Sequence, residues 1–211
     1  MLYMGRFVCY AFVLLLVAFC PASLLAQDGD ASVAVNPYLD GGIGLYGNLG
    51  KSNPNYNADA GIDVKYQRLF GEVEAGFDTA NASGTDNGCN IRTHGLAFYR
   101  VKGHWNIGGG MHYAEFKSNS YTKHDFWPTF AALYDGKWLR LNSQYLFPGS
   151  NSDYHETGPL FDLRLRLTHG FYYRDRFALL HYTDNLQSPP EGHWGREAMF
   201  QVLYVFKEKQ Q

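Results

Sequence analysis

Phe161-Asp162-Leu163-Arg164-Leu165-Arg166-Leu167 sets four apolar residues on one parity and three charged residues on the other. Side chains of a strand point alternately to its two faces, so this heptad reads as a strand with one apolar and one charged side. Similar runs recur outward from it, from residue 33 to Phe206, separated by clusters of Gly, Asn, Asp and Pro. The pattern predicts strands over 33–46, 58–67, 69–79, 92–101, 104–116, 126–134, 137–147, 159–173, 177–183 and 196–206. Connections at 47–57, 80–91, 117–125, 148–158 and 184–195 are long and polar. Those near Arg68, Lys102-Gly103, Asp135-Gly136 and Arg174-Asp175-Arg176 are tight. Regular alternation of long and short connections predicts an all-β, up-and-down antiparallel barrel of ten strands. Eight is the alternative count, because the first and ninth strands are weak: Pro37 and Gly41-Gly42 interrupt the first.

The first 26 residues bear on the compartment. Arg6 is their one charge, an apolar stretch runs from Phe7 to Phe19, and small residues follow at Ala22, Ser23 and Ala26. This is the layout of a secretory signal, with cleavage expected near Ala26. The expected division is therefore a signal peptide over 1–26 and a barrel domain over 27–211. Removing the signal takes one of the 18 Lys and Arg and none of the 20 Asp and Glu, so the remainder stays weakly acidic. That balance offers nothing to nucleic acid. Cys9 and Cys20 leave with the signal and only Cys89 stays, so the fold is expected to be held by its sheet rather than by a disulfide.

Mean hydropathy is −0.32, yet 17% of the residues are aromatic. A chain of such modest hydropathy crosses a membrane only by turning alternate residues to lipid and to the lumen. Parity assigns to lipid Ile62, Val64, Val73, Phe77 and Tyr99 in the first half. In the second half it assigns Leu139, Leu141, Leu163, Leu165, Leu167, Phe200, Val202, Tyr204 and Phe206. The lumen parity carries acids on the second and third strands: Asp59, Asp63, Glu72, Glu74 and Asp78, with Lys65 among them. Opposite stand Arg140, Asp162, Arg164 and Arg166, with Arg92 and Arg100 between. Charges on the lipid side would cost roughly 2–4 kcal/mol each at the midplane, so this sorting favours a membrane barrel. A secreted lipocalin-like barrel, the non-membrane alternative, would need an apolar interior.

The whole chain after the signal resembles the small outer-membrane β-barrel proteins, a porin-like group. The stretch from Ala58 to Phe77 looks like one of their hairpins, and Phe200-Gln-Val-Leu-Tyr-Val-Phe206 looks like the terminal signal read by the barrel-assembly machinery. Here Lys207-Glu-Lys-Gln-Gln211 follows the final aromatic, a departure from that signal. The resemblance implies a bacterial outer-membrane location, with outer-membrane lipids and lipopolysaccharide around the wall and the assembly machinery as a partner in biogenesis. It implies no cofactor and names no extracellular ligand.

Three functions compete. Opposed lumen charges fit a structural ion-pair network that fills the barrel, leaving a structural or surface-interaction protein without catalysis. The same charges fit a narrow passive pore for small solutes, with an acidic and a basic wall. The third is an acyl hydrolase. His181-Tyr182-Thr183-Asp184-Asn185 resembles the His-x-Ser-Asn segment of outer-membrane lipid A deacylases, with Thr183 in place of Ser and Asp184 in place of Asn. That resemblance implies a nucleophile at Thr183, a base at His181 and an orienting acid such as Glu197. The eight histidines show no metal-ligand spacing, and none is assigned to a metal.

Overall fold

The computed structural model describes residues 33–48, 53–82, 86–117, 122–149, 154–184 and 191–206. The expected signal over 1–26, its cleavage point, the tips of the long connections and the terminal 207–211 lie outside the described residues.

Ten antiparallel strands close into one barrel. They are β1 (Val33–Asn48), β2 (Asn53–Tyr66), β3 (Leu69–Ala82), β4 (Asp86–Lys102), β5 (Trp105–Lys117), β6 (Thr122–Asp135), β7 (Leu139–Leu146), β8 (Tyr154–Thr168), β9 (Phe171–Asp184) and β10 (Glu191–Val205). Each strand pairs with its neighbours in sequence, and β1 pairs with β10 from Tyr38↔Val205 to Asn48↔Gly195. Closure leaves no edge whose backbone groups lack partners, the condition for strands in lipid. The count is ten, and the eight-strand alternative is set aside.

Pro37 is accommodated by its place in the ladder. Its carbonyl accepts the Phe206 N–H at 2.8 Å, so its nitrogen faces the end of β10, where pairing stops. A missing N–H there removes no bond from the middle of the sheet.

Two sequence expectations need correction. The strands run well past their expected ends on the long-connection side: 53–57, 86–91, 122–125, 154–158 and 191–195 are strand rather than loop. Their Asn, Asp and Gly residues look loop-like, but neighbouring strands satisfy their backbones, as in Asn53↔Tyr46 and Asp86↔Ala82. Cys89, expected in a loop, therefore lies in β4 with its side chain exposed.

The second correction moves the β8–β9 turn. It falls at His169-Gly170, with Gly170 at φ 75°, and Arg174-Asp175-Arg176 is inside β9. Glycine enters that left-handed region without the Cβ clash other residues meet. Three consecutive charges mimic a turn in the sequence. In the barrel they alternate instead, two into the lumen and one out.

Candidate functional site

The lumen centres on a layer of charge held by side chains from both walls. Glu72 and Glu74 project inward from β3, and Glu72 is 1% exposed. Arg140 of β7 reaches Glu72 Oε2 at 2.7 Å and Asp63 Oδ2 of β2 at 2.5 Å. Arg164 of β8 also pairs with Glu72. Arg174 of β9, fully buried, pairs with Asp40 of β1, with Glu74 at 2.6 Å and with Asp162 at 2.5 Å. Arg176 pairs with Glu74 and lies 3.4 Å from Asp59. Four guanidiniums thus answer the buried carboxylates, as the cost of burying an unpaired charge requires.

Neutral groups complete the layer. The Tyr38 hydroxyl lies 2.7 Å from Glu74 and 3.0 Å from Glu72, with its one proton to donate. Gln201 Nε2 donates to Asp40 and to Asp59, both at 2.7 Å. The Tyr38 ring lies under Arg164 and needs the space left by Gly61, where a Cβ would come within 2.3 Å of the ring. Toward the short turns, Phe70 supports Arg140 with its ring face at 4.4 Å and packs with Leu96, Phe98, Ala131 and Leu133. Toward the long connections, Trp127, Leu146, Ala178, Leu180 and Tyr182 form a second apolar cluster.

Of the residues expected in the network, Asp59, Asp63, Glu72, Glu74, Arg140, Asp162 and Arg164 meet in this layer. Asp78 and Arg92 pair at 2.5 Å closer to the long connections, and Lys65 pairs with Asp135 at 2.7 Å near the short turns. Arg166 is half-buried and Arg100 exposed, both near the short turns. Sequence reasoning missed Tyr38, Asp40, Arg174, Arg176 and Gln201. Strict parity carried on from Phe171 through Phe177 would have found the two arginines. The proline and glycines of β1 hid Asp40.

Glu72, Glu74 and His94 bring potential ligand atoms within 4.8 Å of one another. Both carboxylates already accept from Arg140, Arg164, Arg174, Arg176 and Tyr38, which leaves them poorly placed to hold a cation. The two carboxylates belong to the hydrogen-bonded layer, and His94 lies beside it, 3.6 Å from Glu72 and 3.9 Å from Glu74. His94 stacks on His112 with ring centroids 4.9 Å apart, and His112 Nε2 lies 2.6 Å from Gln144 Oε1.

The hydrolase arrangement does not assemble. His181 and Thr183 share the outward parity of β9, with Thr183 Oγ1 3.4 Å from His181 Nδ1. Glu197 points inward from β10 and binds Arg92 at 2.7 Å. The barrel wall separates the acid from the other two.

Outside, large apolar side chains cover the wall. Val73, Phe77, Tyr99, Leu165, Phe200, Tyr204 and Phe206 are exposed, as are Val202 (57%) and Leu167 (61%). Val64, Leu139, Leu141 and Leu163 are half-buried on the same parity. Ile62 is 7% exposed, flanked in register by Pro37 and Val73. Asp175 is an exception to the sorting of charge: between inward Arg174 and Arg176, it takes the outward parity, opposite Leu163 and Phe200. The fold is an up-and-down barrel with a charged layer between two apolar clusters inside and large apolar side chains outside.

No family model matches the chain, and no curated protein matches its sequence. Among solved structures the barrel is similar to Neisserial surface protein A, at 10% identity over 83% of this chain and 99% of that one, with a TM-score of 0.38. It is also similar to a major outer membrane protein from Thermus thermophilus, at 10% identity over 82% of this chain and all of that one, with a TM-score of 0.37. Salmonella typhi OmpF, in complex with daunomycin, matches at 10% identity over 82% and 97% of the two chains, with a TM-score of 0.27.

Proposed function

We propose that this chain is an integral barrel of the bacterial outer membrane, with a structural or surface-interaction role, whose lumen is closed by its ion-pair layer and which carries no catalytic site. The observation that carries this reading is the inversion of polarity across the wall. Soluble proteins bury their large apolar side chains and rarely expose contiguous apolar patches beyond a few hundred Å². Here charge is inside, and the apolar face is bounded by two aromatic belts. Phe171, Tyr204 and Phe206 cluster at one end, with ring centroids 4.8 and 5.0 Å apart along the row. Tyr113 with Phe126, and His181 with Trp194, mark the other. Phe171 and His181 stand ten residues apart on β9. At about 3.3 Å per residue and a tilt of about 40° the belts are roughly 25 Å apart, the height of an outer-membrane apolar band.

Side-chain reach supports a closed lumen. Arg140, Arg164, Arg174 and Arg176 extend from β7–β9 to acids on β1–β3, so the layer crosses the bore rather than lining it. A barrel of this strand number is narrow enough for side chains to fill it. Delivery by the barrel-assembly machinery, through β10 and the Phe206 that follows it, belongs to the same reading.

The test has two stages. Folded barrel in isolated outer membranes should migrate differently on a gel before and after boiling; absence of a shift would sink the membrane reading. Purified barrel in planar bilayers should then give no sustained conductance steps. Regular steps would replace the closed lumen with the passive pore.

A further inference from the structure

The short-turn end of the barrel is basic. Arg140 aside, which belongs to the lumen layer, the charged residues within three positions of the short turns are Lys65, Arg68, Arg100, Lys102, Lys137 and Arg166, against one acid, Asp135, among the described residues. Lys65 takes that acid at 2.7 Å. The opposite mouth differs: there Asp78 and Glu197 share Arg92.

Two of these bases stand face to face. Leu69 pairs with Tyr99 near the end of the β3–β4 ladder, and one step further the Arg100 N–H donates to the Arg68 carbonyl at 2.8 Å. Both arginines are exposed, and Arg68 Nη1 donates to the Tyr99 hydroxyl at 3.4 Å. Like charges held opposite on neighbouring strands repel. Lys102 follows Arg100 across a β-bulge. Lys65 and Arg100 lie on the lumen parity. The Lys65 ammonium is 5.6 Å from the centroid of the Phe70 ring inside the bore, and Arg100 lies within electrostatic reach of Asp135. Beneath them Phe70, Leu96, Phe98, Ala131 and Leu133 pack together.

We propose that this mouth docks a carboxylate-rich polypeptide segment of the periplasm, seated on Arg68 and Arg100 with Lys65 and Lys102 beside them. The inference rests on the outer-membrane reading, which turns the short connections to the periplasm. A guanidinium is a planar fork that matches a carboxylate bidentately. One carboxylate between Arg68 and Arg100 offsets their repulsion, and Asp135 on Lys65 shows the same pairing within the chain. Bases on the lumen parity face the water of the mouth, away from the lipid around the wall. That favours a soluble partner over a phospholipid headgroup. Bases spread over several turns also match carboxylates spaced along a chain better than one compact phosphate.

The experiment uses full-length barrel in phosphatidylcholine nanodiscs, titrated with a fluorescent polyglutamate peptide and, as controls, with polylysine and a Gly-Ser peptide, read by anisotropy. Wild type should bind polyglutamate alone, and more weakly as salt rises. The double variant Arg68→Gln, Arg100→Gln should bind about tenfold more weakly, as loss of two exposed charge pairs implies. The double Lys variant should keep part of the affinity, and Arg196→Gln, at the opposite end, should leave it unchanged. No binding by wild type, or undiminished binding by the double Gln variant, would overturn the proposal. So would a wild type that ignores the peptide but enriches phosphatidylglycerol in its lipid shell through the same two arginines; the occupant would then be a lipid. Each protein is first checked for the heat-dependent gel shift. A wild type that shifts but ignores polyglutamate defeats this inference alone, whereas one that never shifts defeats the membrane reading beneath it.

Discussion

Arg140 and Asp63 stand on opposite walls of the barrel, β7 and β2, and meet at 2.5 Å across its bore. A contact so remote in sequence ties the walls together where no covalent link does. Removing one partner of a buried pair leaves the other charge stranded, at a cost of about 3–5 kcal/mol. Arg140→Met and Asp63→Leu should each lower unfolding stability by about that much. The double variant should recover much of the loss, because the uncompensated charge is gone. Denaturant titration in micelles measures all three, and strict additivity of the two single losses would contradict the pairing.

Emptying the layer should open the bore. Glu74→Ser with Arg174→Ser removes one acid and one base, so the formal charge of the lumen is unchanged. We expect sustained conductance steps from this double variant in planar bilayers and none from wild type. A silent double variant that still shows the heat-dependent gel shift would mean that the apolar clusters around Phe98 and Trp127, rather than the charged layer, close the lumen.

Asp175 is a carboxylate on the lipid side of β9, between Leu163 and Phe200 in register. Acids there cost less than bases, yet lipid still disfavours them. Asp175→Leu should raise stability by about 1–2 kcal/mol, seen as a later midpoint in the same titration. An unchanged or earlier midpoint would place this stretch of wall against water or a partner.

Gly61 leaves space for the Tyr38 ring, and a Cβ there would meet its Cζ at 2.3 Å. Gly61→Ala should displace Tyr38 from Glu72 and Glu74 and cost about 1–3 kcal/mol, as overpacking does. Adding Tyr38→Phe should recover little, since the ring remains. Adding Tyr38→Ala should make the alanine at 61 nearly neutral. Full stability in Gly61→Ala would refute the close approach.

With Glu197 bound to Arg92 on the far side of the wall, His181 and Thr183 lack an orienting acid from that residue. Lipid A incubated with folded barrel should keep its ester-linked chains over hours, as followed by mass spectrometry. Release of fatty acid that disappears in both Thr183→Ala and His181→Ala would restore the hydrolase.

The wall of the barrel was legible in the chain before any partner strand was known. Alternation is local, so Phe161 to Leu167 disclosed which residues face out and which face in. The spacing of turns then set the strand number. The contents of the lumen were legible only in part: the heptad announced Asp162 and Arg164, while β1 and the start of β9 were obscured. Pro37 and the glycines masked Asp40, and three successive charges disguised Arg174 and Arg176 as a turn. Who meets whom in the lumen had to wait for the folded barrel. Asp63 and Arg140, or Asp40 and Arg174, are brought together by closure of the sheet and by the stagger of its ladder. The register of the β9–β10 hairpin put Glu197 on the opposite face from His181. A strand's parity is a property of its own backbone, but a contact across the bore depends on the register of every hairpin between.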